Sequence, residues 1–174
     1  MAENSLAGQT LSQSSPRTRG PLVWLDMDQK ELDDAYDQSV YAPNQQLITT
    51  RRRLASEAML KRVTPERVAY GASEDEKLDI YKTSRPNTPI NIFVHGGAGR
   101  NGQGRDSAYL AEMFITAGAH FVIPDFVQVH NAGGNLMPMA RQVRSAVAWV
   151  YKNAERFGGD PNLIYITGHS SPAH

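Results

Sequence analysis

The sequence predicts an α/β fold in which an antiparallel hairpin leads into parallel strands joined by crossover helices. Three observations carry that prediction. The apolar period is helical up to about residue 62 and becomes strand-like from Arg67; from residue 90 onward short β-branched runs alternate with amphipathic helical runs; and Gly, Pro, Asn or Asp bounds each run. With 174 residues, 40% hydrophobic and 21% charged, the chain is long enough for one domain with a substantial core.

Residues 1–20 are rich in Ser, Gln, Gly and Pro without apolar periodicity, so a disordered tail is expected there. Asp28 and Glu31 form a capping-box pattern, and Leu32, Ala35, Tyr36 and Val40 follow at helical spacing, which predicts a helix from about Gln29 that Pro43 ends. A second helix, over 44–62, would bury Leu47, Ile48, Leu54, Ala55, Ala58 and Met59, with Thr64-Pro65 closing it. The Arg51-Arg52-Arg53 run reads as its solvated face. Val68–Tyr70 and Leu78–Tyr81, on either side of the Gly71–Glu76 turn, predict the hairpin.

Ile90–Val94 is the next strand, and His95-Gly96-Gly97-Ala98-Gly99 follows it at once. Asp106 is placed to cap a helix with Leu110, Met113, Phe114 and Ala117 on its core face, ended by Gly118. Phe121–Ile123 is a strand with Pro124-Asp125 at its C-terminal edge. The longest helix is expected over 136–157, with Leu136, Met139, Val143, Ala146, Val147, Val150 and Ala154 inward; Gly158-Gly159 stops it, and Asp160-Pro161-Asn162 turns into a last strand at 163–167. The organisation is therefore a tail (1–20), a helical lead-in (21–65) and an α/β part (66–174).

Composition excludes several function classes. Lys+Arg and Asp+Glu are 18 each, so no net field attracts nucleic acid or an anionic membrane. There is no cysteine, hence no disulfide or thiolate metal site, which fits a reducing compartment; cytoplasm is the expected location. Neither a secretory leader nor a bilayer-spanning run is legible. No histidine spacing matches a metal motif, so no metal and no cofactor are expected; His120 and His130 read as core or surface residues.

In parallel sheets, functional groups collect beyond the C-terminal strand ends. Three ends carry chemistry here: His95-Gly96-Gly97, Pro124-Asp125 and Gly168-His169-Ser170. A serine hydrolase needs a hydroxyl on a sharp turn and backbone N–H groups aimed at the developing oxyanion. Ser170 supplies the hydroxyl; Gly96, Gly97 and Ser171 supply N–H groups, with His95 in support.

The combination of His95-Gly96-Gly97, Gly158-Gly159-Asp160-Pro161 and Gly168-His169-Ser170-Ser171-Pro172-Ala173-His174 resembles the α/β-hydrolase superfamily, in its kynurenine formamidase (arylformamidase) and carboxylesterase branch. The resemblance covers about residues 22–174, including Ala35-Tyr36-Asp37-Gln38 in the helical lead-in. It implies the N-terminal part of an α/β-hydrolase fold, a Ser170 nucleophile, and a small ester or amide substrate, N-formylkynurenine foremost. Asp125 is structural in that family. The resemblance also implies an acid and a histidine later in the chain, whereas this sequence stops four residues after Ser170, so a truncated and nearly inert hydrolase is expected. Pro172 stands where the pattern has glycine and disfavours the helical conformation of Ser171.

Three further readings accompany this one. His169 or His174 could act as a local base, although the first is adjacent to Ser170 and the second is at the chain end. Gly97-Ala98-Gly99-Arg100-Asn101-Gly102, with Asp125 on the next strand, fits a dinucleotide-binding fingerprint, except that Gly104 and Asp106 delay the helix. A non-catalytic remnant or interaction module is the third. An uncovered edge at the last strand would then favour homo-oligomers or association.

Overall fold

The computed structural model describes residues 17–97 and 102–171. Most of the tail, residues 98–101, and Pro172 and His174 lie outside them. The chain divides into two compact units, Met1–Gln45 and Gln46–His174.

The first unit begins with a hairpin the periodicity did not reveal. Strands β1 (Leu22–Trp24) and β2 (Met27–Asp28) pair antiparallel through a turn at Leu25, whose φ is +48°. Helix α1 (Gln29–Tyr36) starts at the expected capping box: Asp28 Oδ1 accepts the Glu31 N–H at 2.9 Å, and Glu31 Oε2 accepts the Asp28 N–H at 2.9 Å. Arg17 and the Gly20 N–H also donate to the Asp28 carboxylate, and the guanidinium above all holds its pKa far below the usual carboxylate range. The helix stops before Val40, short of Pro43, because Asp37 accepts the Ser39 N–H and opens a separate 3₁₀ turn at Gln38–Val40.

The second unit is a five-stranded sheet between two helical layers. Its strands are β3 (Glu66–Ala69), β4 (Lys77–Tyr81), β5 (Thr88–Val94), β6 (His120–Pro124) and β7 (Gly159–Gly168), in the order β3-β4-β6-β5-β7. β3, β4 and β6 pair antiparallel, whereas β5 pairs parallel with both β6 and β7. The predicted hairpin and parallel strands are therefore present, and β5 lies inside the sheet with its C-terminal end between those of β6 and β7.

The period of two assigns each side chain to a layer. Leu78, Ile80, Ile90, Ile92 and Val122 pack with Ala146 and Val150 of α4 (Met137–Asn153) on one face. Tyr81, Phe121 and Ile123 pack with Met59 of α2 (Gln45–Arg62) and Ala111 of α3 (Ala111–Ala117) on the other. Gly118 and Gly158 end their helical segments in left-handed conformations, as expected.

Several expected helix faces are corrected. Of the apolar set assigned to α2, Met59 is buried as expected, but Leu47 and Leu54 are half exposed and the helix buries Ser56 instead. The reason is polar anchoring. Ser56 Oγ donates to the Asp106 carbonyl at 2.7 Å and accepts the Tyr109 N–H at 3.2 Å, so the serine faces inward. Asp106 does not cap α3; it lies within a 3₁₀ segment, Gly104–Leu110, and accepts the Gln103 N–H at 2.9 Å. Met113 and Leu136 are exposed. The last strand starts earlier than predicted, at Gly159, because Asp160–Asn162 form a bulge inside it: Thr88 pairs with Gly159, yet Ile90 pairs with Ile164.

Candidate active site

The β5–β7 ladder carries the chain to the site in register. Val94 pairs with Gly168, and the His169 N–H continues the ladder to the Val94 carbonyl at 3.2 Å. Just below, the Thr167 hydroxyl donates to Oδ1 of buried Asn91 at 3.0 Å. Beyond this fixed strand end Ser170 turns sharply, with φ of +61°. A non-glycine residue there is strained by roughly 1 kcal/mol, which ties it to an elbow held by its surroundings.

The loop after β5 lies directly against that elbow. A Cβ built on Gly96 would stand 2.9 Å from the His169 carbonyl, 2.8 Å from His169 Nδ1 and 3.2 Å from Ser170 Cβ. Only a residue without a side chain permits this approach. Gly97 has φ of +123°, another conformation that L side chains rarely adopt. Gly96 and Ser170 are thus brought together by two adjacent parallel strands, with Gly97 and Ser171 next to them in the chain.

His95 sits beneath the loop, 6% exposed, stacked on Phe126 with ring centroids 4.5 Å apart and its Nδ1 3.0 Å from the Gly96 carbonyl. It supports the loop from below. Phe126 was not singled out in the sequence, because an aromatic just past a strand end carries no mark of the ring it will meet. Asp125 is engaged by the protein itself: Oδ1 accepts the Gly104 N–H at 2.6 Å and Oδ2 pairs with Arg67 at 2.5 Å. It holds the loop between β5 and α3, and a carboxylate so committed is not presented to a ribose. The segment opening at Gly104 is 3₁₀, which further separates this loop from a dinucleotide-binding turn.

A cleft of about 730 Å³ lies beside the elbow, lined by Gly168 and His169, the two residues before Ser170. Gly96, Gly97, Gly168 and His169 line it together with Thr49, Arg52 and Arg53 of α2, and Phe93, Tyr109 and Leu110 add apolar surface. Two arginines of the run read as a solvated face therefore border the cleft. Among the described residues no histidine is hydrogen-bonded to a carboxylate, and no cluster of His, Asp or Glu is grouped to hold a metal ion. The positions of Pro172 and His174 lie outside the described residues.

Residues 78–174 match the profile of the BD-FAE family. The chain belongs to that family. Kynurenine formamidase of Danio rerio is 28% identical over 166 residues, 87% of this chain and 53% of that protein. Isoprenylcysteine alpha-carbonyl methylesterase ICME of Arabidopsis thaliana is 29% identical over 110 residues, 62% of this BD-FAE chain and 25% of that protein. The chain spans about half the length of the kynurenine formamidases it matches. Among solved structures, one from Silicibacter sp. TM1040 superposes with a TM-score of 0.68 at 22% identity, covering 81% of this chain and 52% of its own. A Thermogutta terrifontis esterase gives a TM-score of 0.56 at 23% identity, covering 61% and 40%. These likenesses establish the fold as that of the α/β-hydrolases, the class the resemblance in the sequence implied.

Proposed function

We propose that this BD-FAE chain carries the nucleophile and oxyanion half of a serine hydrolase that cleaves a small carboxylic ester or amide. The observation that carries the reading is Ser170 at φ +61°, set against a Gly96 that has no room for a Cβ. In the reaction, Ser170 Oγ bonds to the carbonyl carbon, its proton passes to a base, and the carbonyl electron pair moves onto oxygen. Backbone N–H groups of the Gly96-Gly97 loop and of Ser171 receive that oxyanion. Collapse expels the alcohol or amine with a proton, and water cleaves the acyl-serine. The formamidase and methylesterase names among the relatives support an acyl substrate, and a formamide of an aryl amine is the first candidate.

The chain taken by itself is expected to turn over slowly. Among the described residues no histidine–carboxylate pair faces Ser170, and loss of the base from a serine triad costs on the order of 10⁶ in turnover. The cysteine-free sequence supports a cytoplasmic setting. A fluorophosphonate at alkaline pH, followed by peptide mass mapping, tests the reading. A slow, single adduct on Ser170 that Ser170→Ala abolishes is expected; an adduct pattern indifferent to that substitution overturns it.

A further inference from the structure

One polar stripe of α2 lines the same cleft as the Gly96-Gly97 loop. Thr49, Arg52 and Arg53 line the cleft, and Ser56 continues the same face at i+4 from Arg52. The orientation of this stripe is fixed. Ser56 is anchored through its hydroxyl to Asp106 and Tyr109, and six residues further on Arg62 grips Glu112 with two bonds of 2.7 and 3.0 Å. Arg52, four residues before Ser56, is therefore carried by a helix anchored to Asp106 and Tyr109, two other residues that line the cleft.

The two arginines differ in what they already hold. Arg53 pairs with Glu57 at 2.5 Å, one turn along the helix. Asp106, the carboxylate on the cleft, accepts the Gln103 N–H. Among the described residues Arg52 forms no ion pair. Arg52, a guanidinium without an ion pair, thus shares the lining of one cleft with Gly96 and Gly97, and the apolar surface of Phe93, Tyr109 and Leu110 borders the same space. Guanidinium forks match carboxylates in planarity and charge, and an apolar surround strengthens the pairing.

We infer that the site takes a carboxylate-bearing ester or amide, an apolar body whose anionic group is received by Arg52 while the scissile carbonyl lies at Ser170. Arg52 is then a specificity-determining residue for the reaction proposed above, and the inference rests on that reading. The arrangement discriminates by charge: a neutral substrate of the same shape leaves the guanidinium to solvent and loses the pairing.

The test compares two probes that differ only in that charge, hippurate and hippuramide, titrated into the full chain while the backbone amides of Gly96, Gly97 and Gly168 are followed by NMR. Hippurate is expected to bind about three- to tenfold more tightly than hippuramide, a range set by the partial exposure of the pair. Arg52→Gln should abolish the preference, Arg52→Lys should keep part of it, and Ser170→Ala should leave it unchanged. Equal affinities in the unmodified chain, or a preference that survives Arg52→Gln, overturn the inference. The two readings fail separately: a charge preference without a Ser170 adduct removes the hydrolase reading alone, and an adduct without a charge preference removes this inference alone.

Discussion

Gly96 shows how much a single hydrogen in place of a methyl can decide. The nearest neighbour of a Cβ there includes the His169 carbonyl at 2.9 Å, which is backbone and held by the ladder that ends at Val94, so it cannot swing aside. Gly96→Ala is therefore expected to displace the elbow: Ser170 phosphonylation should slow by about 10²-fold, the order that misplacement of a reacting group by 1 Å produces. An unchanged labelling rate would mean that the loop and the elbow do not depend on each other. His120 is the corresponding residue on the opposite, N-terminal side of the sheet. It is fully buried, accepts the Thr83 N–H on Nδ1 at 3.3 Å and meets Phe157 edge-on, and burial lowers its pKa from the ordinary value. The unfolded imidazole takes up a proton before the folded one does, so stability is complete above about pH 6.5 and declines as the pH falls below it. Denaturant midpoints measured between pH 7 and pH 5 should fall for the unmodified chain and fall less steeply for His120→Gln.

At the scale of elements, the sequence located helices better than it oriented them. The limits of α2 are within a residue of expectation, because Thr64-Pro65 is a strong stop. Its buried face was misread because Leu47, Ile48 and Leu54 outweigh a serine in any apolar count, whereas the structure turns the helix by Ser56 and lets only its C-terminal turn reach the core. No pattern in the sequence marks a serine whose partners lie about fifty residues away. The same blindness hid the cleft position of Arg52. Asp28–Glu31 was legible for the opposite reason: a capping box is complete within four residues. Ser56→Ala leaves the Tyr109 N–H without its acceptor, and is expected to cost about 1–3 kcal/mol in urea unfolding. A loss within a few tenths of zero would show that water replaces the hydroxyl without penalty.

For the molecule as a whole, the β-α alternation and the glycine breaks made the sheet legible, and the strand ends made Ser170 and the Gly96-Gly97 loop legible as partners before any contact was known. The bulge at Asp160–Asn162 and the 3₁₀ segment at Gly104–Leu110 were not, since both are set by what the chain packs against. Strand β7 is an edge of the described sheet. Tyr165 and Ile166 are 57% and 58% exposed, and an apolar groove of about 590 Å³ runs between α4 and β7, lined by Val143, Val147, Tyr151, Ile164 and Ile166. Association through this edge is expected at micromolar concentrations, and a lysine there should oppose it. Sedimentation velocity should show oligomers of the unmodified chain that Ile166→Lys shifts towards monomer; a monodisperse unmodified monomer would contradict the expectation.

In the function proposed here, two adjacent strand ends hold Ser170 and the Gly96-Gly97 loop as a nucleophile and its oxyanion site. A crystal structure of the chain after reaction with a fluorophosphonate tests it most directly. Phosphorus bonded to Ser170 Oγ is expected, with the phosphoryl oxygen about 2.7–3.1 Å from backbone N–H groups of the Gly96-Gly97 loop and of Ser171. A phosphoryl oxygen directed into solvent, or an adduct on another residue, would contradict it.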